Sequence, residues 1–126
     1  MGRLIRVVSV ALCVAVLLLA QSEPVLGHAI VMESSPKSGE VVSQIPSGIA
    51  LRFNSRIEKA LSRVTIIGAG RDPLLLPQVT SDTGPDRLVV PLPSLEPGAY
   101  LVRWRVLSAD GHVTQGVFRF TVAPPP

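Results

Sequence analysis

Apolar and polar residues alternate along most of the chain that follows residue 28. In Tyr100–Val106, the side chains of Tyr100, Val102, Trp104 and Val106 fall on one face and two arginines on the other. This period of two is typical of half-buried strands, and no segment carries a convincing helical period. The pattern predicts strands at residues 29–34, 48–54, 63–68, 74–79, 87–91, 98–108 and 113–123.

Short segments rich in Pro, Gly, Asp and Ser separate these runs, as in Ile-Pro-Ser-Gly and Ala-Asp-Gly. Such residues close chain reversals, so the strands are connected at short and regular intervals. This arrangement predicts an all-β protein, an Ig-like Greek-key β-sandwich of about seven strands. Residues 28–126 suffice for one domain with a single core.

The N-terminus has the layout of a secretory signal peptide, with Arg3 and Arg6 ahead of an apolar run, Val7–Ala20. That run is shorter than the roughly 20 residues that span a bilayer. We therefore expect residues 1–27 to be cleaved after Gly27, which would place the protein in the periplasm or outside the cell. An uncleaved membrane anchor is the alternative. Cys13 lies in the apolar run, so the mature chain would have no disulfide and no thiolate metal or redox site.

The charge of the chain is small. It has twelve basic and nine acidic residues, and removal of residues 1–27 leaves ten basic and eight acidic, a net charge of +2. The basic residues are spread among acidic and apolar ones rather than run together, which gives little support for nucleic-acid binding. We expect a monomer that binds no nucleic acid.

Both histidines of the chain stand at positions that suit a metal site. Cleavage after Gly27 would make His28 the first residue, with a free α-amine beside its imidazole. Such a residue can bind one ion through its amine nitrogen and Nδ1 together. Nitrogen pairs of this kind suit Cu(II), and the amine loses its proton at little cost near neutral pH.

The second histidine lies in Ser-Ala-Asp-Gly-His, where Asp110 and His112 are two residues apart. In an extended chain both side chains would project from the same side and could converge on one ion. With His28 they would supply three nitrogens and one oxygen, a set that fits one Cu(II) ion. The alternative is an incidental histidine after a signal peptide and an ordinary turn, in which Asp110 accepts backbone N–H bonds and Gly111 adopts positive φ. The residues alone leave both interpretations open.

Three stretches are specific enough for comparison with a known family: the opening His-Ala, the Ser-Ser-Pro that follows it, and "GAYLVRWRVLSADGH". Through them, residues 28–122 resemble the CopC family of periplasmic copper-resistance proteins. This resemblance implies an Ig-like sandwich that binds Cu(II) through His28, Asp110 and His112. This chain departs from the family in having Ser55 where some members carry a glutamate near the site; Glu58 is three residues further on and is not included. Only Met32 remains after cleavage, so a Cu(I) site of thioethers is not expected.

The sequence therefore predicts a periplasmic or secreted Cu(II)-binding protein that sequesters copper, delivers it or confers resistance, and that is not an enzyme. The resemblance also implies a membrane copper-transport protein as the recipient. One rival is a copper oxygenase with a histidine brace; Asp110 would fill the position that oxygen needs, and the few aromatic residues fall on core-like positions. The other rival is a metal-free Ig-like interaction module, which an N-terminus other than His28 would favour.

Overall fold

The computed structural model describes residues 2–3, 29–77 and 83–126. Alternating apolar residues form strands here because each strand can bury one face while turn residues reverse the chain. The strands are β1 Val31–Ser35, β2 Val41–Val42, β3 Gly48–Phe53, β4 Arg63–Gly68, β5 Leu74–Leu75, β6 Arg87–Pro91, β7 Gly98–Leu107 and β8 Val113–Val122. A short 3₁₀ helix, Lys59–Leu61, precedes β4.

The strands form two sheets. The first has the order β1-β3-β6 and the second β2-β8-β7-β4-β5, and all neighbours are antiparallel except β2 and β8, which are parallel. The inward side chains of both sheets form one core. This confirms the predicted all-β sandwich.

No helix in the described part of the chain has the length and hydropathy needed to cross a membrane.

The core is centred on β3, β7 and β8. Trp104 is 8% exposed and meets Phe53 of the other sheet edge to face, with ring centroids 5.5 Å apart. Tyr100 stacks on Phe120 at 5.6 Å. Trp104 also lies directly opposite Gly116, where even a methyl group would overlap the indole. The predicted inward face of β7 is therefore confirmed. Gly116 on β8 leaves room for Trp104, the largest side chain of that face.

Two predicted strands differ from the structure, and one observed strand was not predicted. The first begins at Val31 rather than residue 29, and the segment predicted at 74–79 is a strand only at Leu74–Leu75. Pro77 lacks the N–H needed to extend a ladder, and residues 78–82 lie outside the described residues. The two-residue β2, Val41–Val42, was not predicted, because a strand that short shows no alternation.

Candidate metal centre

The turn between β7 and β8 holds two of the three predicted ligands. Ser108 N–H donates to the carbonyl of His112 at 2.9 Å, and Gly111 N–H donates to that of Ser108 at 2.9 Å. Gly111 has φ of +90°, a left-handed conformation that glycine adopts without strain. Asp110 and His112 are thus brought together by a tight turn. The expectation of an extended chain at this point was wrong, because the hairpin reverses direction here.

The side chains of Asp110 and His112 nevertheless converge. His112 Nδ1 lies 3.4 Å from Asp110 Oδ1, and the backbone N–H of His112 donates to the same oxygen at 3.1 Å. The His112 side chain is 40% exposed and that of Asp110 28% exposed, while His112 Nδ1 itself is buried on the side that faces the carboxylate. The turn therefore presents an imidazole and a carboxylate side by side, a donor pair that suits a borderline transition-metal ion.

Ser108 holds the Asp110 carboxylate in place from the buried side of the turn. It is 1% exposed; its hydroxyl donates to Asp110 Oδ1 and also lies 3.0 Å from the carbonyl oxygen of His112. This hydroxyl and the N–H of His112 stabilise the carboxylate and lower the pKa of Asp110 below its ordinary value. Like any aspartate, Asp110 is ionised at neutral pH, as a metal-binding carboxylate must be, and the lowered pKa extends the ionised form to more acidic pH.

Ser108 was not predicted as part of the site. The signal available was a serine two residues before the aspartate, at the end of a strand whose inward positions are 100, 102, 104 and 106. Continuing that period places residue 108 on the inward face, where a buried hydroxyl needs a polar partner. Asp110 is the nearest such partner along the chain.

The segment that follows β3 runs beside this turn. Ala109 N–H donates to the carbonyl of Arg56 at 3.0 Å, and Ile57 forms a β-bridge with Ser108. A small pocket opens between the two segments, lined by Ser55, Arg56, Ser108, Ala109 and Asp110. Glu58 is not among its lining residues, whereas Ser55, which occupies the position of the expected acid, is.

The hydroxyl of Ser55 is buried and has no hydrogen-bond partner among the described residues. Buried hydroxyls are nearly always paired with protein or with an ordered water, so Ser55 is an unusual polar group in this part of the structure. Asp110 lines the same pocket, whose wall therefore contains a carboxylate and a hydroxyl-bearing residue.

His28, the third predicted ligand, lies outside the described residues, as do nearly all residues of the predicted signal peptide. The residues directly after His28 are firmly held. Ala29 is 1% exposed and belongs to the core, and Ile30 exchanges two hydrogen bonds with Asn54, its N–H to Asn54 Oδ1 at 2.8 Å and its carbonyl from Asn54 N–H at 3.0 Å. Residue 29 is thereby held close to the Asn54–Arg56 segment that borders the turn.

Within the described ranges, no group of three or more His, Cys, Asp or Glu side chains lies close enough together to hold a metal ion. Asp110 and His112 alone therefore make an incomplete site.

Comparison with known proteins places this architecture in a family. The model of the CopC domain matches residues 31–123. The chain is 35% identical over 100 residues to Protein YobA of Escherichia coli K12, covering 78% of this chain and 81% of that protein.

Two solved structures are similar in fold. The crystal structure of CopC from Methylosinus trichosporium OB3b aligns with a TM-score of 0.70 and 32% identity, over 77% of this chain and 95% of that one. PcoC from Escherichia coli, described as a methionine-rich copper resistance protein, aligns with a TM-score of 0.62 and 28% identity, over 76% and 99%.

Proposed function

The chain belongs to the CopC family, and from that premise we propose that it is an exported protein that binds one Cu(II) ion through His28, Asp110 and His112. The observation that carries the proposal is the turn of residues 108–112, which places the partly exposed side chains of His112 and Asp110 side by side, with Nδ1 3.4 Å from Oδ1. Copper is here the cargo of the protein rather than a resident cofactor.

The donor chemistry of the turn supports Cu(II). Imidazole nitrogen and carboxylate oxygen are ligands that suit divalent copper, and the lowered pKa of Asp110 keeps its charge available at more acidic pH as well. Oδ1 of Asp110 already accepts hydrogen bonds from Ser108 and His112. We therefore propose that the other carboxylate oxygen, Oδ2, binds the ion, while Oδ1 holds the carboxylate in position.

The anchoring of Ala29 and Ile30 supports His28 as the third ligand. Ile30 is hydrogen-bonded to Asn54, and Arg56, two residues on, is hydrogen-bonded to Ala109 in the turn. His28 directly precedes Ala29 in the sequence, and consecutive Cα atoms are 3.8 Å apart. If cleavage follows Gly27, its α-amine and imidazole supply the two nitrogens that the turn lacks.

The same ligand set disfavours Cu(I). Soft thioether ligands select cuprous ion, and this chain has only two methionines, Met1 in the predicted signal peptide and Met32. Its relative PcoC is described as methionine rich. Met32 is 55% exposed on β1. We propose that the chain handles copper in the oxidised form alone.

The proposed role is sequestration or delivery of copper in the periplasm or outside the cell, without catalytic turnover. A copper oxygenase needs an open coordination position for oxygen, and in the proposed site Asp110 would fill it. A membrane copper-transport protein is the proposed recipient of delivered copper.

The decisive experiment measures the mature N-terminus and its part in binding. Intact mass should show a chain that begins at His28, and the electron paramagnetic resonance spectrum of the Cu(II) protein should show coordination dominated by nitrogen. Adding one glycine ahead of His28 should weaken binding sharply, because it removes the terminal amine and one chelate ring. Equal Cu(II) affinity in the extended protein would overturn the proposed ligand set.

The oxidation state is tested by competition. Ascorbate together with a Cu(I)-specific chelator should empty the protein, whereas the oxidised protein should keep its metal against a moderate Cu(II) chelator. A loose surface site would lose copper under both conditions. Retention of reduced copper would instead reveal a soft site, with Met32 as the first residue to replace.

A further inference from the structure

The outward face of the five-stranded sheet carries arginines and no acid. Strands β4, β7 and β8 have the sequences RVTIIG, GAYLVRWRVL and VTQGVFRFTV, while β2 and β5 consist of valine and leucine. None of these strands contains aspartate or glutamate. Their outward positions include four exposed arginines, Arg63, Arg103, Arg105 and Arg119, which we call the arginine face.

The four side chains lie next to one another across the sheet. Arg63 is directly opposite Arg105, and residues so paired have Cβ atoms about 5 Å apart. Arg103 lies two residues from Arg105 on the same face, about 7 Å away. Arg119 pairs with Leu101, which makes it a diagonal neighbour of Arg103 at about 7–8 Å. The arginine face is therefore one continuous cationic surface over three strands.

No acid in the described part of the chain neutralises these cations. Among the described residues none of the four takes part in an ion pair, whereas on the other sheet Arg52 pairs with Glu33 at 3.0 Å and Arg87 approaches Asp86. Like charges directly opposite each other, as at Arg63 and Arg105, destabilise a sheet. An arrangement that costs stability and has no internal partner indicates an external anionic one.

Exposed apolar side chains lie among the arginines and at both edges of the same sheet. Val117, opposite Arg103, is 60% exposed, and Val41 and Leu75 at the two edges of the sheet are 65% and 54% exposed. Guanidinium groups bind phosphate in a bidentate manner. On a lipid bilayer, neighbouring apolar side chains can also contact the boundary between the phosphate headgroups and the acyl chains. A second copy of this chain that presented the same face would be repelled, because its arginines carry the same charge.

We propose that the arginine face docks the protein on an anionic phospholipid surface. A bilayer offers phosphate at every headgroup, which matches guanidinium groups spread over a broad sheet face better than a single acidic peptide would. The 108–112 turn joins the two strands that carry Arg103, Arg105 and Arg119, so a docked molecule holds this turn at the edge of the contact. The docking does not depend on copper, and its failure would leave the proposed copper site untouched.

The test is co-sedimentation of the metal-free protein with vesicles of phosphatidylglycerol and phosphatidylcholine or of phosphatidylcholine alone. The protein should bind only the anionic vesicles, and high salt should release it. Replacing Arg103 and Arg105 together by Gln should weaken binding about 25-fold, since a surface cation contributes about fivefold. Binding through an uncleaved apolar N-terminus would occur on both vesicle types and would not respond to these substitutions.

The matched control replaces Arg71 and Arg87 by Gln. This pair removes the same net charge, but Arg71 bonds to Glu96 and Arg87 lies on the other sheet. The control should retain most of the anionic binding, and thermal unfolding should verify that both variants are folded. Equal loss in the two variants would show that only net charge matters and would overturn the proposal. Absence of binding to anionic vesicles would overturn it too, and would direct the search to an acidic protein partner.

Discussion

Trp104 and His112 lie on the same β-hairpin, yet they have opposite surroundings. Trp104 is 8% exposed and packs between Phe53 of the facing sheet and Gly116 of the neighbouring strand. His112 has a 40% exposed side chain in a turn held by backbone hydrogen bonds and by Ser108. The two parts of the hairpin thus differ in role. Side chains of the two strands stabilise the fold. The turn is shaped mainly by backbone hydrogen bonds, so the side chains of Asp110 and His112 remain available for chemistry.

The largest expected effect comes from the core. Trp104→Ala should lower the free energy of unfolding by about 3–5 kcal/mol, because it leaves a cavity between the two sheets. Denaturant unfolding of the metal-free protein measures the loss, and Trp104→Phe should recover part of it. A loss below about 1 kcal/mol would mean that the contact between the sheets contributes little.

The turn should respond in the opposite way. His112→Ala should abolish tight Cu(II) binding, at least a hundredfold in affinity, because it removes one of only a few ligands. The free energy of unfolding of this variant should differ from that of the parent protein by no more than about 0.5 kcal/mol, since alanine keeps the backbone N–H and carbonyl that bond to Asp110 and Ser108. Isothermal titration with Cu(II) and denaturant unfolding measure the two effects. A comparable loss of stability in His112→Ala and Trp104→Ala would identify His112 as a structural histidine.

The sequence predicted the strands of the hairpin well because each has a long period of two. It predicted the inward face of β7 for the same reason, and burial confirms it at Tyr100, Val102, Trp104 and Val106. The match of Trp104 with Gly116 was not predicted, since it depends on the register, which the length of the 108–112 turn fixes.

The site was less predictable than the hairpin. Asp110 and His112 could be identified from residue type, but their geometry depends on hydrogen bonds within the turn and on the Arg56 carbonyl, far away in sequence. Ser108 could have been found by continuing the inward period of β7 to residue 108. Ser55 could not, because its place beside Asp110 depends on the packing of two segments that are far apart in sequence. The part of His28 in binding stays a prediction.

The fit between Trp104 and Gly116 can be tested from the strand that faces the indole. Gly116→Ala should cost about 1–3 kcal/mol, because the added methyl group overlaps the Trp104 ring and forces it or the strand to move. The control is Val117→Ala on the next residue, whose side chain points outward and is 60% exposed, so that its loss should be small. Unchanged stability in Gly116→Ala would show that the indole has room to shift.

The smallest expected effect concerns Ser108, which belongs to both regions: it is buried like the core around Trp104, but its hydroxyl bonds to the 108–112 turn. Ser108→Ala should lower the free energy of unfolding by about 1 kcal/mol through the lost hydrogen bond, and Cu(II) affinity by about tenfold because Asp110 is no longer held. The same substitution at Ser55 is the matched control: its hydroxyl has no hydrogen-bond partner among the described residues, so Ser55→Ala should not destabilise the metal-free fold. Unfolding and Cu(II) titration of the two variants, side by side, check both expectations. If Ser108→Ala lowered stability without changing Cu(II) affinity, the serine would serve the hairpin alone, and Asp110 would need no support to bind the ion.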